Sequence, residues 1–233
     1  MKLPPPPTMT RHQFLARLHE ALAPVEVYLE VGVQTGGSLH LAHAAGVAYG
    51  VDPNPMLAPE FHRGNQRVIA ETSDAWLGCT SCERPTIDFG FIDGSHLMED
   101  ALRDFIYMER HSRPSTVVVF DDVLPYSQDI AWRTQPPGDW TGDVFKIMAV
   151  LAEYRPDLTL RLVDVAPTGA LVVTGLDRRN VTLEKQYDRI AAEWLPRHHV
   201  PDAILNRDGA GGPEDVIAAV VADLDRIKKG VRA

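Results

Sequence analysis

Three aspartates and one histidine stand where apolar runs stop. Phe91-Ile92 breaks into Asp93-Gly94-Ser95-His96, and Val117-Val118-Val119-Phe120 breaks into Asp121-Asp122. A carboxylate at a strand end with an imidazole three residues on suits proton transfer, because histidine can take up a proton near neutral pH. Asp, Gly and Ser are also ordinary turn formers, and aspartate caps helices, so a purely structural turn is the alternative. If the two strands are parallel, Asp93, Asp121 and Asp122 converge at one edge of the sheet. Three carboxylates so close repel one another unless they are protonated or bridged by a cation. A hard divalent ion with oxygen ligands, Mg²⁺ first among them, would bridge Asp93, Asp121 and Asp122 and acidify a bound hydroxyl. His96 is then the expected base, with Asp93 beside it.

The pattern around these residues alternates between strand and helix. Strands are expected at Val27–Val31, Ala48–Asp52, Arg67–Ala70, Thr86–Ile92 and Thr116–Phe120. Helices are expected at Gly36–Ala45, from Leu97 onward (Leu97, Ala101, Leu102 and Phe105 share one face), and at Gly142–Tyr154. Leu158–Val165 and Ala170–Thr174 read as an antiparallel pair. Short apolar strands separated by helices call for an α/β fold, a doubly wound sheet covered on both faces. A helix over Arg11–Leu22 precedes this core. Helices over Thr182–Leu195 and from Pro213 follow it, with Pro213 in a first turn and Gly230 just past a last one. The division is residues 1–23, an arm and helix; 24–176, the core; and 177–233, a helical extension. Proline at positions 4–7 suggests an extended arm. His198 and His199 read as solvated.

The chain has 233 residues, 45% of them hydrophobic and 24% charged, enough for one sizeable core. A net charge of −9 disfavours a nonspecific nucleic-acid or anionic-membrane binder. No apolar run is long enough for a bilayer and the start lacks a signal-peptide core, so a cytoplasmic setting is the default expectation. Cys79 and Cys82 have the spacing of half a zinc site or a redox pair. No second pair accompanies them, and they read as two adventitious thiols in a loop.

Between the first strand and first helix runs Glu30-Val31-Gly32-Val33-Gln34-Thr35-Gly36-Gly37-Ser38. Glycines there let a ligand approach the backbone, although a tight turn needs them equally. The loop has neither the GxGxxG spacing of nicotinamide cofactors nor a P-loop lysine. Asp52, ending the second strand, could accept hydrogen bonds from ribose hydroxyls. Glu71 to Trp76, after the third strand, offers a polar turn and an aromatic to flank a purine.

Glu30-Val-Gly-Val with Gly36-Gly37-Ser38-Leu39 and Asp52 resembles the cofactor site of class I S-adenosylmethionine-dependent methyltransferases. With Phe-Ile-Asp-Gly-Ser-His and Phe-Asp-Asp, the chain is similar to the metal-dependent O-methyltransferases of the macrocin and mycinose type and to the group called cephalosporin hydroxylases. The resemblance implies a Rossmann-like seven-stranded sheet from about Tyr28 to Thr174 with the last strand reversed. It implies that Glu30, Gly32 and Ser38 hold the methionine end, with Thr35 and Gly36 in the same loop. Asp52 would hold the ribose, and Ser73 or Asp74 the adenine edge. His96 in place of a lysine and Asp122 in place of an asparagine depart from the catechol-type relatives, and favour a sugar or aliphatic hydroxyl as acceptor.

Tyr126–Gly142, rich in Trp, Pro and Gly, reads as a substrate lid or as a pinned surface loop. The leading expectation is a Mg²⁺-assisted O-methyltransferase acting on a hydroxylated small molecule. The competing classes are a nicotinamide-dependent oxidoreductase, which the absent Tyr-x-x-x-Lys pair also disfavours, and a noncatalytic cofactor-binding protein. The terminal helices could pair subunits in a homo-oligomer.

Overall fold

In a computed structural model, which describes residues 7–79 and 81–230, β5 (Ser112–Asp121) is an inner strand of a seven-stranded sheet. Its neighbours are β4 (Ile87–Ile92), parallel, and β7 (Ala170–Thr174), antiparallel. Outward on one side come β1 (Val27–Val31), β2 (Val47–Val51) and β3 (Gln66–Ile69), all parallel. On the other, β6 (Thr159–Val163) pairs antiparallel with β7. The order is β3-β2-β1-β4-β5-β7-β6, so the chain reverses its direction of winding between β1 and β4. Such a switch point opens a crevice at the carboxyl ends of the strands.

The unbroken apolar run of β5 follows from burial on both faces. Val118 and Phe120 pack under α3 (Met98–Arg110) and α4 (Ile147–Tyr154), and Val117 and Val119 pack under α1 (Arg11–Leu22) and α7 (Pro213–Lys228). Along α3, Ala101, Leu102 and Phe105 form the buried stripe that the periodicity predicts, joined by Met98, whereas Leu97 is the half-buried N-cap. α1 opens on a capping box in which Thr10 and Gln13 satisfy each other's backbone N–H groups. α5 (Thr182–Trp194) buries Leu183, Ile190 and Trp194 beside α3 and α4, while α6 (Asp202–Leu205) is a single turn.

Several local expectations change. Gly36–Ala45 is not an α-helix: only Leu39–Ala44 turns, as 3₁₀, because Gly46 must already lead into β2 at Val47. Glu71–Trp76 is not an open turn but the start of α2 (Ser73–Leu77), capped by Thr72. Trp76 packs against Tyr49, with the Arg84 guanidinium over its ring, and so does not flank the crevice. Cys79 and Cys82 are not free thiols: the turn after α2 brings them together in a disulfide. β5 begins at Ser112 rather than Thr116, its first residues hidden in the sequence by Arg113 and Pro114. The proline arm lies, apart from Pro7, outside the described residues. Among the described residues no helix is long and apolar enough to cross a membrane.

Candidate active site

β1, β4 and β5 end side by side. Ile92 is in register with Val31 and with Phe120, which places Asp93 next to Gly32 on one side and Asp121 on the other. The Asp93 N–H donates to the Val31 carbonyl at 2.9 Å. Gly32 has φ +90°, and a Cβ on it would collide with the Asp93 carbonyl oxygen, so this glycine lets two strand ends close together. Gly36 serves similarly: Leu57 fills the space its side chain would take.

At this edge lies a cavity of about 320 Å³ whose walls include Gly32, Asp52, Ser73, Asp74 and Arg103. Asp52 is clamped by backbone: Oδ2 accepts from Val33 and Gln34 N–H at 2.9 Å, and Oδ1 from Asn54 N–H at 2.7 Å. Asp74 pairs with Arg103 at 2.8 Å and accepts from the Tyr107 hydroxyl at 2.9 Å. Glu30 is not at this wall. It is fully buried, accepting from Tyr28 Oη at 2.7 Å and Ser38 Oγ at 2.9 Å, and burial pushes its carboxyl up to about 8. Ser38 is thereby also turned inward, and Thr35 lies exposed outside the cavity lining.

A second, water-sized cavity shares Gly94, Ser95 and Asp104 with the first and adds Asp93, His96, Asp121 and Asp122. His96 has φ +58° and Asp122 φ +61°, left-handed conformations that cost energy for non-glycine residues and are held here by their surroundings. For His96 the support is Asp143, whose N–H donates to the His96 carbonyl at 3.1 Å, and Trp140, whose carbonyl oxygen accepts from Nδ1 at 2.9 Å. That acceptor requires a proton on Nδ1 and leaves Nε2 facing Asp93 Oδ1 at 3.3 Å. A neutral imidazole would aim a lone pair at a carboxylate there. Burial opposes the charged ring, but hydrogen bonding to Asp93 and the charges of Asp122 and Asp93 outweigh it and push His96 up to about 9. The neutral-range titration expected from the sequence is therefore corrected upward. Asp122 Oδ1 accepts from Thr168 Oγ1 at 2.6 Å, and burial, with the charge of Asp93, raises this carboxyl to about 6.

The three aspartates converge, but a further residue joins them. Arg11, first in α1, donates from one guanidinium nitrogen to Asp121 Oδ2 and to Asp93 Oδ2, the latter at 3.1 Å. Asp93, His96 and Asp122 each offer one ligand atom within 4.8 Å of the others; Asp121 is not in that set. A Mg²⁺ ion prefers an octahedron of oxygens, and here the third donor is an imidazole nitrogen while a guanidinium occupies one side of Asp93. The residues as placed do not fit the three-aspartate ion expected from the sequence.

Arg11 was not foreseeable as a partner, since it lies 82 residues from Asp93 and 110 from Asp121. Asp104 left a readable signal: it interrupts the apolar stripe of α3 between Ala101 and Phe105. It is buried at the rim shared by both cavities, and burial raises its carboxyl to about 7.

Residues 29–123, which span all these strand ends, match a family model described as a methyltransferase domain. The matched segment is similar to a methyltransferase domain, and the strand order is that of the Rossmann-like methyltransferase fold. Solved structures with the same fold include a putative O-methyltransferase from Klebsiella pneumoniae, 19% identical over 72% of this chain and 80% of that one, TM-score 0.56. The O-methyltransferase TomG from Streptomyces achromogenes, involved in tomaymycin synthesis and solved with S-adenosylmethionine, is 20% identical over 70% of this chain and 78% of its own, TM-score 0.54. MycE, from the mycinamycin biosynthetic pathway and solved with Mg, S-adenosylhomocysteine and mycinamycin VI, is 18% identical. That match covers 70% of this chain and 48% of MycE, TM-score 0.50. At these identities the likeness is one of fold. No curated protein matches the chain.

Proposed function

We propose that the protein transfers a methyl group from S-adenosylmethionine to a hydroxyl of a small molecule, a sugar, glycoside or other natural product. The observation that carries this reading is the continuity of the two cavities. One is large enough for a nucleoside and has a strand-end carboxylate in its wall; the other, joined to it through Gly94 and Ser95, holds the histidine. The involvement of TomG in tomaymycin synthesis and the complex of MycE with mycinamycin VI agree with a natural-product acceptor.

In this reading Asp52 receives one ribose hydroxyl on Oδ1, which accepts one backbone N–H and has one lone-pair site left. Ser73 and Asp74 lie on the adenine side. Glu30, Ser38, Thr35 and Gly36 act on the cofactor through the loop backbone that they brace. The cofactor, when bound, supplies an electrophilic methyl group on a sulfonium. His96 Nε2 takes the hydroxyl proton of the acceptor while Nδ1–H stays fixed on the Trp140 carbonyl. Asp93 holds the resulting imidazolium. No role falls to Mg²⁺ in these steps, because Arg11 and His96 already stand between the carboxylates expected to share it.

Calorimetric titration with S-adenosylmethionine, S-adenosylhomocysteine and NADH, followed by labelled-methyl transfer to a panel of hydroxylated acceptors, tests the reading. Binding of the first two and methyl transfer to at least one acceptor are expected. Binding of NADH with none of S-adenosylmethionine would overturn it.

A further inference from the structure

The charged groups at the ends of β4 and β5 alternate in sign: Asp121, Arg11, Asp93, His96, Asp122. Each carboxylate touches a nitrogen of Arg11 or His96, and each of those side chains bridges two carboxylates. Asp121 is 2% exposed, and among the described residues its second oxygen has no hydrogen-bond partner. A buried carboxylate in that condition depends heavily on the one cation it has.

Arg11 is placed there by the fold rather than by a flexible reach. It opens a capped helix, its backbone N–H donates to the Ala166 carbonyl at 2.9 Å, and the Ala166 N–H returns a bond to Met9 at 2.9 Å. Phe14, Leu15 and Leu18 anchor the same helix in the core. The guanidinium is thus delivered to Asp121 and to Oδ2 of Asp93, whose Oδ1 faces His96.

We propose that Arg11 is the resident cation of this cluster and takes the place of a divalent ion, which the wild-type chain does not bind there. A dication entering between Asp93, His96 and Asp122 would meet a fixed positive charge 3.1 Å from the other oxygen of Asp93. Removing that charge would leave an anionic pocket with oxygen and nitrogen donors already converged. The latent metal site is masked by an arginine. This goes beyond the methyl-transfer reading and can be tested without it.

The experiment is Mn²⁺ binding to the full chain, read by electron paramagnetic resonance of free Mn²⁺ and by calorimetry, for wild type, Arg11→Ala and Arg11→Lys. Wild type and Arg11→Lys should bind Mn²⁺ only at millimolar concentrations or weaker. Arg11→Ala should take up one ion per chain about 100-fold more tightly or better, as expected when a unit charge a few ångströms away is removed. Asp93→Asn added to Arg11→Ala should abolish that uptake. If Arg11→Ala does not fold by circular dichroism, Arg11→Gln, which keeps donors without charge, gives the same contrast. Tight binding of one ion by wild type, or no gain on removing the charge, would overturn the proposal. Either result leaves cofactor binding and methyl transfer untouched as separate questions.

Discussion

The imidazole of His96 lies stacked on the indole of Trp140, ring centroids 4.9 Å apart, while its Nδ1–H donates to that residue's own carbonyl oxygen at 2.9 Å. One residue of the 126–142 loop therefore fixes both the plane and the tautomer of the candidate base. The loop is tied in place at this end: Trp140 Nε1–H donates to the Trp132 carbonyl at 2.6 Å, and Thr141 N–H to that of Ile130 at 2.9 Å.

His96→Ala should lower the turnover number by about 10²–10⁴-fold, the usual scale of general-base catalysis. Because His96 is held up to about 9, the wild-type rate should rise with pH through about 9 as the base loses its proton, and the variant should lack that limb. The linkage to stability has the opposite sense. The folded state raises the pKa, so the contribution of the imidazolium is complete below the unfolded value of about 6.5. It is lost as pH climbs through about 9. Rate profiles and thermal melts from pH 6 to 10 on both proteins check the two together; a wild-type limb near neutrality would refute the assignment.

Asp52→Ala should weaken S-adenosylmethionine binding by about 1.5–3 kcal/mol, the loss of one charge-assisted hydrogen bond. Part of that loss would come from the loop, since the Val33, Gln34 and Asn54 N–H groups lose their acceptor as well. Asp52→Asn, which keeps one acceptor oxygen, should lose less. Calorimetry on both variants decides, and unchanged affinity in Asp52→Ala would remove the ribose role.

Gly142→Ala tests the backbone beneath His96. Gly142 has φ +55°, and a Cβ there would run into the His96 carbonyl oxygen. Strain of about 1–3 kcal/mol should appear as a lowered melting temperature. Turnover should fall more than cofactor affinity, because the displaced group is the histidine. Normal turnover would mean that the position of His96 does not limit the reaction.

Asp143→Ala should be the most destabilising of these changes. Asp143 accepts from Met98 N–H at the start of α3, from Arg133 and from Lys146, which is 1% exposed. Removing the carboxylate leaves a buried ammonium without its ion-pair partner, a loss of about 3–5 kcal/mol. Chemical denaturation measures it, and a loss below about 1 kcal/mol would show that Lys146 finds relief elsewhere.

Legibility in the sequence followed the range of the interactions. α1 is found at its expected bounds because Thr10 and Gln13 cap it locally, and α7 begins at Pro213 for an equally local reason. β7 is likewise found at Ala170–Thr174, an apolar run with Gly169 before it and Gly175 after it. The strand-end aspartates were readable because a parallel sheet delivers successive carboxyl ends to one edge. Side-chain partner choice was not. Glu30 turning inward to Tyr28 and Ser38, and Arg11 reaching Asp121, are decided by how α1 and the 32–38 loop pack, and no local period encodes that. Trp76 went to Tyr49 because α2 formed where only a turn was expected.

α7 lies against α1, with Val216, Ile217, Val220 and Leu224 in the same core as Phe14 and Leu18, and Glu214 on α7 accepts from Arg17, 197 residues earlier in the chain. The last helix is therefore a brace for the first, and the first carries the guanidinium of the carboxylate cluster. Swapping or trimming the C-terminal segment to change acceptor preference would also loosen the electrostatic balance of the site, through a contact that never touches a substrate.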